Sequence, residues 1–349
     1  MSAPANESFA VRPHLERLLA GQTLDSASAR AVMEAVLDNR IGVISLSAFL
    51  MALRAKGESE TELTAFARVL RERCIKVHAP VGALDTCGTG GDLSNTFNIS
   101  TGAALVAAGM GIPVAKHGNR SQTSSSGSAD VLKALGVNVD AAPPVVERCL
   151  AEANVAFLFA PLYHPGLKHA LPVRRELAVR TVFNLIGPLS NPAAATHQLV
   201  GVPEPRWCEI FVRTLKNLGS EAAMAVCGEL PGNGFLDEVS TWGPTTIARL
   251  NRGRISVERF DVAALGLPRP AADALKVSSP AESAGKLRDV LDGKPGPARD
   301  VVLLNATAAA LAAGKAPGWA EGMKLAADSI DSGRAKQALE NLVRISNAS

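Results

Sequence analysis

The 349-residue chain predicts an α/β protein in which a small all-helical domain precedes a larger α/β domain, with a central, mostly parallel sheet flanked by helices. Three observations predict it. Residues from about Pro13 to Arg73 carry helical apolar spacing and no convincing strand, whereas from Ala83 onward short apolar runs alternate with helical stretches. The composition, alanine-rich with 30 glycines and only 4% aromatic residues, suits helices packed closely on a sheet. The length is sufficient for a sizeable core and two domains.

The helical segment is legible residue by residue. Val32, Met33, Val36 and Leu37 share one helix face, followed by Phe49, Leu50 and Leu53, and Gly57 ends that helix. Ser59-Glu60-Thr61-Glu62 has the form of a capping box, in which the first and fourth side chains reciprocally satisfy backbone N–H groups, and Leu63, Phe66, Ala67 and Leu70 repeat behind it at helical spacing. These stripes predict core or interface rather than a ligand groove. Strands are expected at Leu84–Cys87, Ile112–Ala115, Val155–Ala160, Gln198–Val202 and Ala222–Val226, since short apolar runs without alternation indicate a sheet buried on both faces. The segment from Leu162 to Pro192 departs from the pattern, with His164-Pro165-Gly166, a helix over Leu167–Ala178, and repeated Asn, Gly and Pro between Asn184 and Pro192. Beyond Gly243 a hairpin is expected from Thr245–Leu250 and Arg254–Phe260 around Asn251-Arg252-Gly253, followed by three helices ending near Ser346.

Charge and cysteines exclude several classes. With 36 Lys and Arg against 33 Asp and Glu, the net charge of +3 is too mild and too scattered for a nucleic-acid-binding surface. Five widely spaced cysteines, Cys74, Cys87, Cys149, Cys208 and Cys227, form no C-x-x-C pair, which argues against a disulfide framework or zinc site and predicts reducing surroundings. Met1 to Val11 lack a basic region followed by an apolar run, and no apolar stretch reaches the roughly 20 residues that cross a bilayer. The expectation is a cytoplasmic protein with no membrane or nucleic-acid partner.

The chemistry concentrates in Asp85 to Thr101, D-T-C-G-T-G-G-D-L-S-N-T-F-N-I-S-T. Gly88, Gly90 and Gly91 let main-chain N–H groups approach an anion closely. The alanine-rich run Gly102–Gly109 predicts a helix with Ser100 or Thr101 as its N-cap, and the free N–H groups of a helix start favour phosphate. Asp92 would repel a phosphate unless it meets a cation or a sugar hydroxyl, which points to a sugar phosphate or a metal. A second loop, Lys116-His117-Gly118-Asn119-Arg120-Ser121-Gln122-Thr123-Ser124-Ser125-Ser126-Gly127-Ser128, places two cations, an amide and a hydroxyl tract after a buried strand. In such sheets ligands bind beyond the carboxyl ends of the strands, so both loops belong on one rim. Further on, Asp237-Glu238 presents two adjacent carboxylates, hard ligands suited to magnesium, although such pairs also occur on solvated turns.

Together the two loops, Phe157–Pro192, the Asp237-Glu238 pair and the helical C-terminal third resemble the anthranilate phosphoribosyltransferases, over nearly the whole chain. The G-T-G-G-D loop alone is shared with the pyrimidine nucleoside phosphorylases; the K-H-G-N-R run favours the transferases. The resemblance implies a discontinuous helical domain, residues 1–80 joined by about 165–192, and an α/β domain from 81–164 and 193–349. It implies transfer of phosphoribosyl from 5-phosphoribosyl 1-pyrophosphate (PRPP) to the amine of anthranilate, in L-tryptophan biosynthesis, by a homodimer joined through the helical domain. PRPP contacts fall on Gly88, Gly91, Asp92, Thr96, Asn98, Ile99, Ser100 and Thr101, and on Lys116, His117, Gly118, Asn119, Arg120, Ser121, Gln122, Thr123, Ser124 and Ser128. Anthranilate contacts fall on Gly88, Asn119 and Arg174, and Mg2+ on Ser100, Asp237 and Glu238. On the residues alone, Arg174 and Arg175 are equally good candidates, and only the resemblance selects Arg174. No catalytic acid or base is assigned: an arylamine is already nucleophilic, so His117 is read as packing or positioning, with general-base work the lesser reading.

The chain departs from the family pattern at Ser125, where lysine is frequent, at Cys227, where histidine is common, and at Leu230–Phe235, a short insertion before Asp237. The alternatives are a nucleoside phosphorylase and a non-catalytic binding protein of the same fold. A degraded glycine loop and lost carboxylates would mark the latter, and here both motifs are intact.

Overall fold

The computed structural model describes residues 8–90, 94–120, 126–232 and 234–348. The chain forms two compact units, Met1–Ile75 with Pro161–Ser190, and Lys76–Ala160 with Asn191–Ser349. In chain order the first contributes α1 (Arg12–Leu19), α2 (Ser26–Leu37), α3 (Val43–Lys56) and α4 (Glu60–Arg73). The second follows with β1 (Leu84–Gly88), α5 (Ile99–Gly109), β2 (Val114–Gly118), α6 (Ser128–Ala134), α7 (Pro143–Ala153) and β3 (Val155–Phe159). The chain then passes through the short α8 (Ala160–Tyr163) and a 3-10 turn into α9 (Leu171–Leu177) and α10 (Val182–Ile186) of the helical unit. It returns as β4 (His197–Gly201), α11 (Arg206–Asn217), β5 (Ala222–Leu230), β6 (Gly234–Leu236), β7 (Thr245–Asn251) and β8 (Arg254–Phe260), then α12 (Pro280–Leu291), α13 (Pro297–Ala312), α14 (Trp319–Asp331) and α15 (Arg334–Ser346).

The strands form one eight-stranded sheet in the order β3-β2-β1-β4-β5-β7-β8, with β6 beside β5. Its first five strands are parallel, while β6, β7 and β8 add antiparallel pairs. β6 overlaps the end of the segment that the sequence presents as an insertion and runs one residue past it, to Leu236; a run of only three residues gives no periodicity to read. The β7–β8 hairpin closes through Arg252 and Gly253, both with positive φ, the two-residue turn whose twist matches the strands. Four helices follow the hairpin where the sequence predicts three, because Gly333, at φ +78°, separates α14 from α15.

α5 is buried on every side, from Thr101 to Gly109, between the sheet and the helices α13 and α15. Small residues permit this. A helix with no polar face is stable only inside a core, and alanines and glycines let α13 and α15 approach it closely.

In the helical unit, the predicted capping box is present at the start of α4, with Ser59 Oγ accepting from the Glu62 N–H at 3.3 Å. Glu62 does more than cap. Its fully buried carboxylate accepts from the Leu24 N–H at 2.9 Å, from the Ser59 N–H and Oγ at 2.9 and 2.8 Å, and from Lys56 Nζ at 2.8 Å. It thus joins the loop before α2, the end of α3 and the start of α4. Removing one member of a buried ion pair leaves the other uncompensated, at about 3–5 kcal/mol. Glu62→Ala should therefore lower unfolding stability by that order in denaturant titration, and a loss below 1 kcal/mol would show the network to be dispensable.

Candidate functional site

β1 lies at the centre of the parallel strands, with β2 and β3 on one side and β4 and β5 on the other. The connections leaving β1 and β4 therefore diverge, and the carboxyl ends of these two strands form the crevice where ligands bind in such folds. Those ends are Gly88 and Gly201, which are register partners. Asp237 lies directly over both: a Cβ at Gly88 would overlap its Oδ2, and a Cβ at Gly201 would overlap its main-chain oxygen. Its Oδ2 also accepts the Gly90 N–H at 2.8 Å, with Gly90 at φ +65°. The glycine loop and the carboxylate pair, 147 residues apart, are thus one structure.

The carboxylate loop is held from behind. Asn305, fully buried on α13, accepts the Val239 N–H at 2.8 Å and donates to the Val239 carbonyl at 3.0 Å. Ser240 Oγ donates to the Glu229 carbonyl at 2.7 Å, and the Ser240 N–H donates to Thr245 Oγ1 at 3.0 Å. Asp237 and Glu238 therefore project from a loop with fixed backbone on its distal side.

The helix that follows the glycine loop starts earlier than the sequence suggests. Asn98, not Ser100 or Thr101, is the N-cap of α5: its Oδ1 accepts the Thr101 N–H at 3.1 Å, which leaves Ile99, Ser100 and Thr101 in the first turn. An amide side chain caps as well as a hydroxyl and also supplies donors, and Asn98 Nδ2 reaches the Ser126 carbonyl at 3.2 Å and Ser128 Oγ at 3.4 Å. The starts of α5 and α6 are thereby joined, and with them the two loops expected on one rim. Thr89 Oγ1, Thr101 Oγ1 and Ser126 Oγ are buried without a partner among the described residues, a set of hydroxyls suited to oxyanion oxygens. Thr96 lies beside the cap, bridged to Lys276, and Asn119 and Arg120 follow β2, with the Arg120 guanidinium 5.7 Å from the Phe159 ring centre. Gly118 ends β2 against the Phe157 ring.

Lys116, for which the resemblance implies a PRPP contact, is buried in the strand. It is 2% exposed within β2, and its ammonium turns under the cradle to donate to the Thr86 carbonyl and, at 3.0 Å, to Ser100 Oγ. Burial lowers its pKa, and the charges of Cys87, Asp85, Glu238 and Asp237 oppose that shift. The neighbouring Asp85 is fully buried on β1 and accepts the His117 N–H at 3.1 Å. Burial pushes its carboxyl up to about 6, against the Asn191 side chain, the His117 N–H and the Lys116 charge. His117 itself is a buried strand residue.

Gly91, Asp92, Ser121, Gln122, Thr123 and Ser124 lie outside the described residues, as does Ser125. Arg174 belongs to the helical unit. It is partly buried on α9 with its guanidinium 5.5 Å from the Phe183 ring centre, and burial lowers its pKa, while Arg175 is exposed. Gly201 and Asn305 were not signalled by the sequence, because each acts through a partner distant along the chain; Asp85, Thr89 and Ser126 lie inside the two quoted loops, where residue type alone does not single them out.

Two family models match, the glycosyl transferase family a/b domain over residues 81–336 and the helical bundle domain of the same family over residues 12–74. Curated anthranilate phosphoribosyltransferases are similar along almost their whole length. That of Parvibaculum lavamentivorans is 46% identical over 95% of this chain and 96% of its own, and that of Symbiobacterium thermophilum 47% identical over 94% and 95%. The crystal structure of the enzyme from Thermus thermophilus superposes with a TM-score of 0.87 at 38% identity, covering 96% of this chain and 99% of that one. The Saccharomyces cerevisiae enzyme in complex with PRPP and Mg gives 0.87 at 28% identity, covering 96% and 97%. With the carboxylate loop seated on paired glycines at the switch of the sheet, this chain belongs to the anthranilate phosphoribosyltransferases of the glycosyl transferase family.

Proposed function

We propose that the protein transfers the phosphoribosyl group of PRPP to the amine of anthranilate, giving N-(5-phosphoribosyl)anthranilate and pyrophosphate in the route to L-tryptophan. The observation that carries this reading is the seat of Asp237 on Gly88 and Gly201, which joins a phosphate-type loop to a paired carboxylate.

The first-turn N–H groups of α5 and the hydroxyls of Ser100 and Thr101 receive phosphate oxygens, aided by the N-terminal end of the helix dipole. Lys116 contributes from beneath, fixing Ser100 Oγ and adding positive charge below the cradle. Gly91, Asp92, Thr96 and the Lys116–Ser124 loop with Ser128 complete the PRPP site in this reading. Among the described residues no group of three or more His, Cys, Asp or Glu is spaced to hold a metal. The candidate is instead Asp237 and Glu238 with Ser100, the sparse oxygen set that magnesium accepts because it keeps several waters. Bound there, magnesium supplies charge neutralisation for the pyrophosphate leaving group. Arg174 and Asn119 orient anthranilate through its carboxylate. The bond from C1 of the ribose to pyrophosphate breaks with oxocarbenium character, the amine nitrogen bonds to C1 from the opposite face, and the amine proton is then lost. The protein acts by binding and orientation, and no side chain is needed as nucleophile. We assign the homodimer contact to the helical unit, where Leu19, Val43 and Ile44 are exposed, and place the protein in the cytoplasm.

The defining assay is loss of anthranilate fluorescence on adding PRPP and magnesium; absence of loss, with uridine or thymidine phosphorolysed instead, overturns the reading. Converting Asp237 to Asn and Glu238 to Gln together should reduce kcat/KM at low magnesium by about 10²- to 10³-fold, and full activity in the double variant would remove these residues from the metal site. Gly201→Ala should have a similar effect with the fold retained, since its methyl group displaces the Asp237 backbone; normal magnesium dependence with a normal circular dichroism spectrum would contradict the seat.

Arg174→Ala should reduce kcat/KM for anthranilate roughly ten- to a hundredfold, the value of one charge-assisted hydrogen bond at about 1.5–3 kcal/mol, with a smaller effect on the KM for PRPP. Arg175→Ala should be nearly silent. Equal effects of Arg174→Ala on both substrates, or a larger loss in Arg175→Ala, would refute the carboxylate contact.

A further inference from the structure

The chain between β8 and α12 runs beside the end of the glycine loop and pairs with it in antiparallel fashion. The Phe97 N–H donates to the Leu275 carbonyl and the Val277 N–H to the Asn95 carbonyl, each at 2.9 Å, which sets Thr96 directly opposite Lys276. The two hydrogen bonds flank this pair rather than join it, the closer of the two antiparallel spacings, in which the opposed side chains share a face with Cβ atoms about 4.5–5.5 Å apart. The neighbours show which face. Phe97, Leu275 and Val277 are buried in the core, so Thr96 and Lys276, which alternate with them, emerge on the other side. Asn98, again alternate to Phe97, turns to the Ser126 carbonyl and Ser128 Oγ of the second loop.

The backbone that carries Lys276 is fastened on both sides. Trp242 Nε1, from the loop that bears Asp237 and Glu238, donates to the Ala271 carbonyl at 3.3 Å, and Lys286 Nζ to the Ala274 carbonyl at 3.1 Å. Ser283 Oγ on α12 accepts the Asn98 N–H at 2.9 Å. The charge of Lys276 is not engaged by this scaffold: the residue is exposed, and among the described residues its ammonium makes no ion pair and no hydrogen bond. Glu282, the next acid along the chain, already accepts the Ser278 N–H and hydroxyl at 2.8 and 2.9 Å. A flexible four-carbon stem opposite Thr96 can therefore bring a point charge to a ligand that Thr96 also touches.

Resting on the reading of the cradle as a PRPP site, we propose that Lys276 is a further substrate-binding residue, its ammonium pairing with a phosphate oxygen of PRPP held between Thr96 and the start of α5. Lys116 lies beneath the cradle and is buried; Lys276 supplies a second cation from the rim, where solvent reaches it until the substrate arrives.

The test is calorimetric titration of the whole protein with PRPP and magnesium, alongside steady-state kinetics in both substrates. Lys276→Gln should weaken PRPP binding and raise the KM for PRPP about tenfold, with kcat and the KM for anthranilate within about twofold of native. Lys276→Arg, which keeps the charge, should recover most of the loss. Lys315→Gln removes the same charge from an exposed position after α13 and should be silent. Unchanged PRPP affinity in Lys276→Gln, an equal loss in Lys276→Arg, or an equal loss in Lys315→Gln would each overturn the contact while leaving the PRPP site itself in place. Failure of the native protein to bind PRPP would overturn both.

Discussion

Everything at the candidate site depends on how closely one main chain can approach two others. Asp237 rests on the ends of β1 and β4, and at Gly88 and Gly201 any side chain would occupy the space that its carboxylate and carbonyl take. The contact is steric before it is electrostatic. Because the two glycines are register partners in adjacent parallel strands, the sheet itself fixes where Asp237 sits, and the hydrogen bond to the Gly90 N–H then fixes its carboxylate. A metal-type loop is thereby placed at the point of the sheet where helix starts and strand ends converge.

The support for this arrangement is buried and polar. Asn305 satisfies both main-chain groups of Val239 from within α13, Asp85 accepts the His117 N–H at the end of β2, and Lys116 joins Thr86 to Ser100. Buried polar groups of this kind are stable only when fully partnered, so each fixes a geometry that apolar packing would leave free. The ammonium of Lys116 belongs to this scaffold as much as to the ligand site. It orders the hydroxyl of Ser100, while the surrounding carboxylates offset only part of the desolvation that lowers its pKa.

The sequence revealed what is local. The capping box at Ser59, the hairpin around Asn251-Arg252-Gly253, the buried parallel strands and the two phosphate-type loops are all contained in short windows, where periodicity, turn chemistry or residue type carries the information. The N-cap of α5 was misplaced by two or three residues because asparagine, serine and threonine compete for that role and three of them lie within four positions. Gly201 and Asn305 were illegible for a different reason: one is a glycine at the end of an ordinary strand and the other an amide on a helix, and their meaning exists only when the loop after β6 is laid against them. For Lys116 the resemblance implies a PRPP contact, but its inward turn is not legible in the sequence, because it depends on the Thr86 carbonyl and Ser100 hydroxyl provided by neighbouring elements.

The placement of charge explains why a cation belongs in the proposed reaction. The described part of the cradle offers N–H groups and hydroxyls, with one buried ammonium beneath, whereas Asp237 stands over it with a carboxylate and Glu238 follows in the chain. Each contact of a carboxylate with a phosphate oxygen at about 4 Å is repulsive by about 1 kcal/mol in water and about 4 kcal/mol at the effective dielectric of a protein surface. PRPP carries several such charges, so two bare carboxylates would oppose its binding. A divalent ion held by these carboxylates would add an attraction to the phosphate oxygens that offsets this repulsion. It would also supply positive charge to offset the negative charge that pyrophosphate gains as the C1 bond breaks, which neutral donors alone match only in part. In the proposed reaction the paired carboxylates, which would weaken binding of the free anion, would therefore tie its binding, and its departure, to the metal.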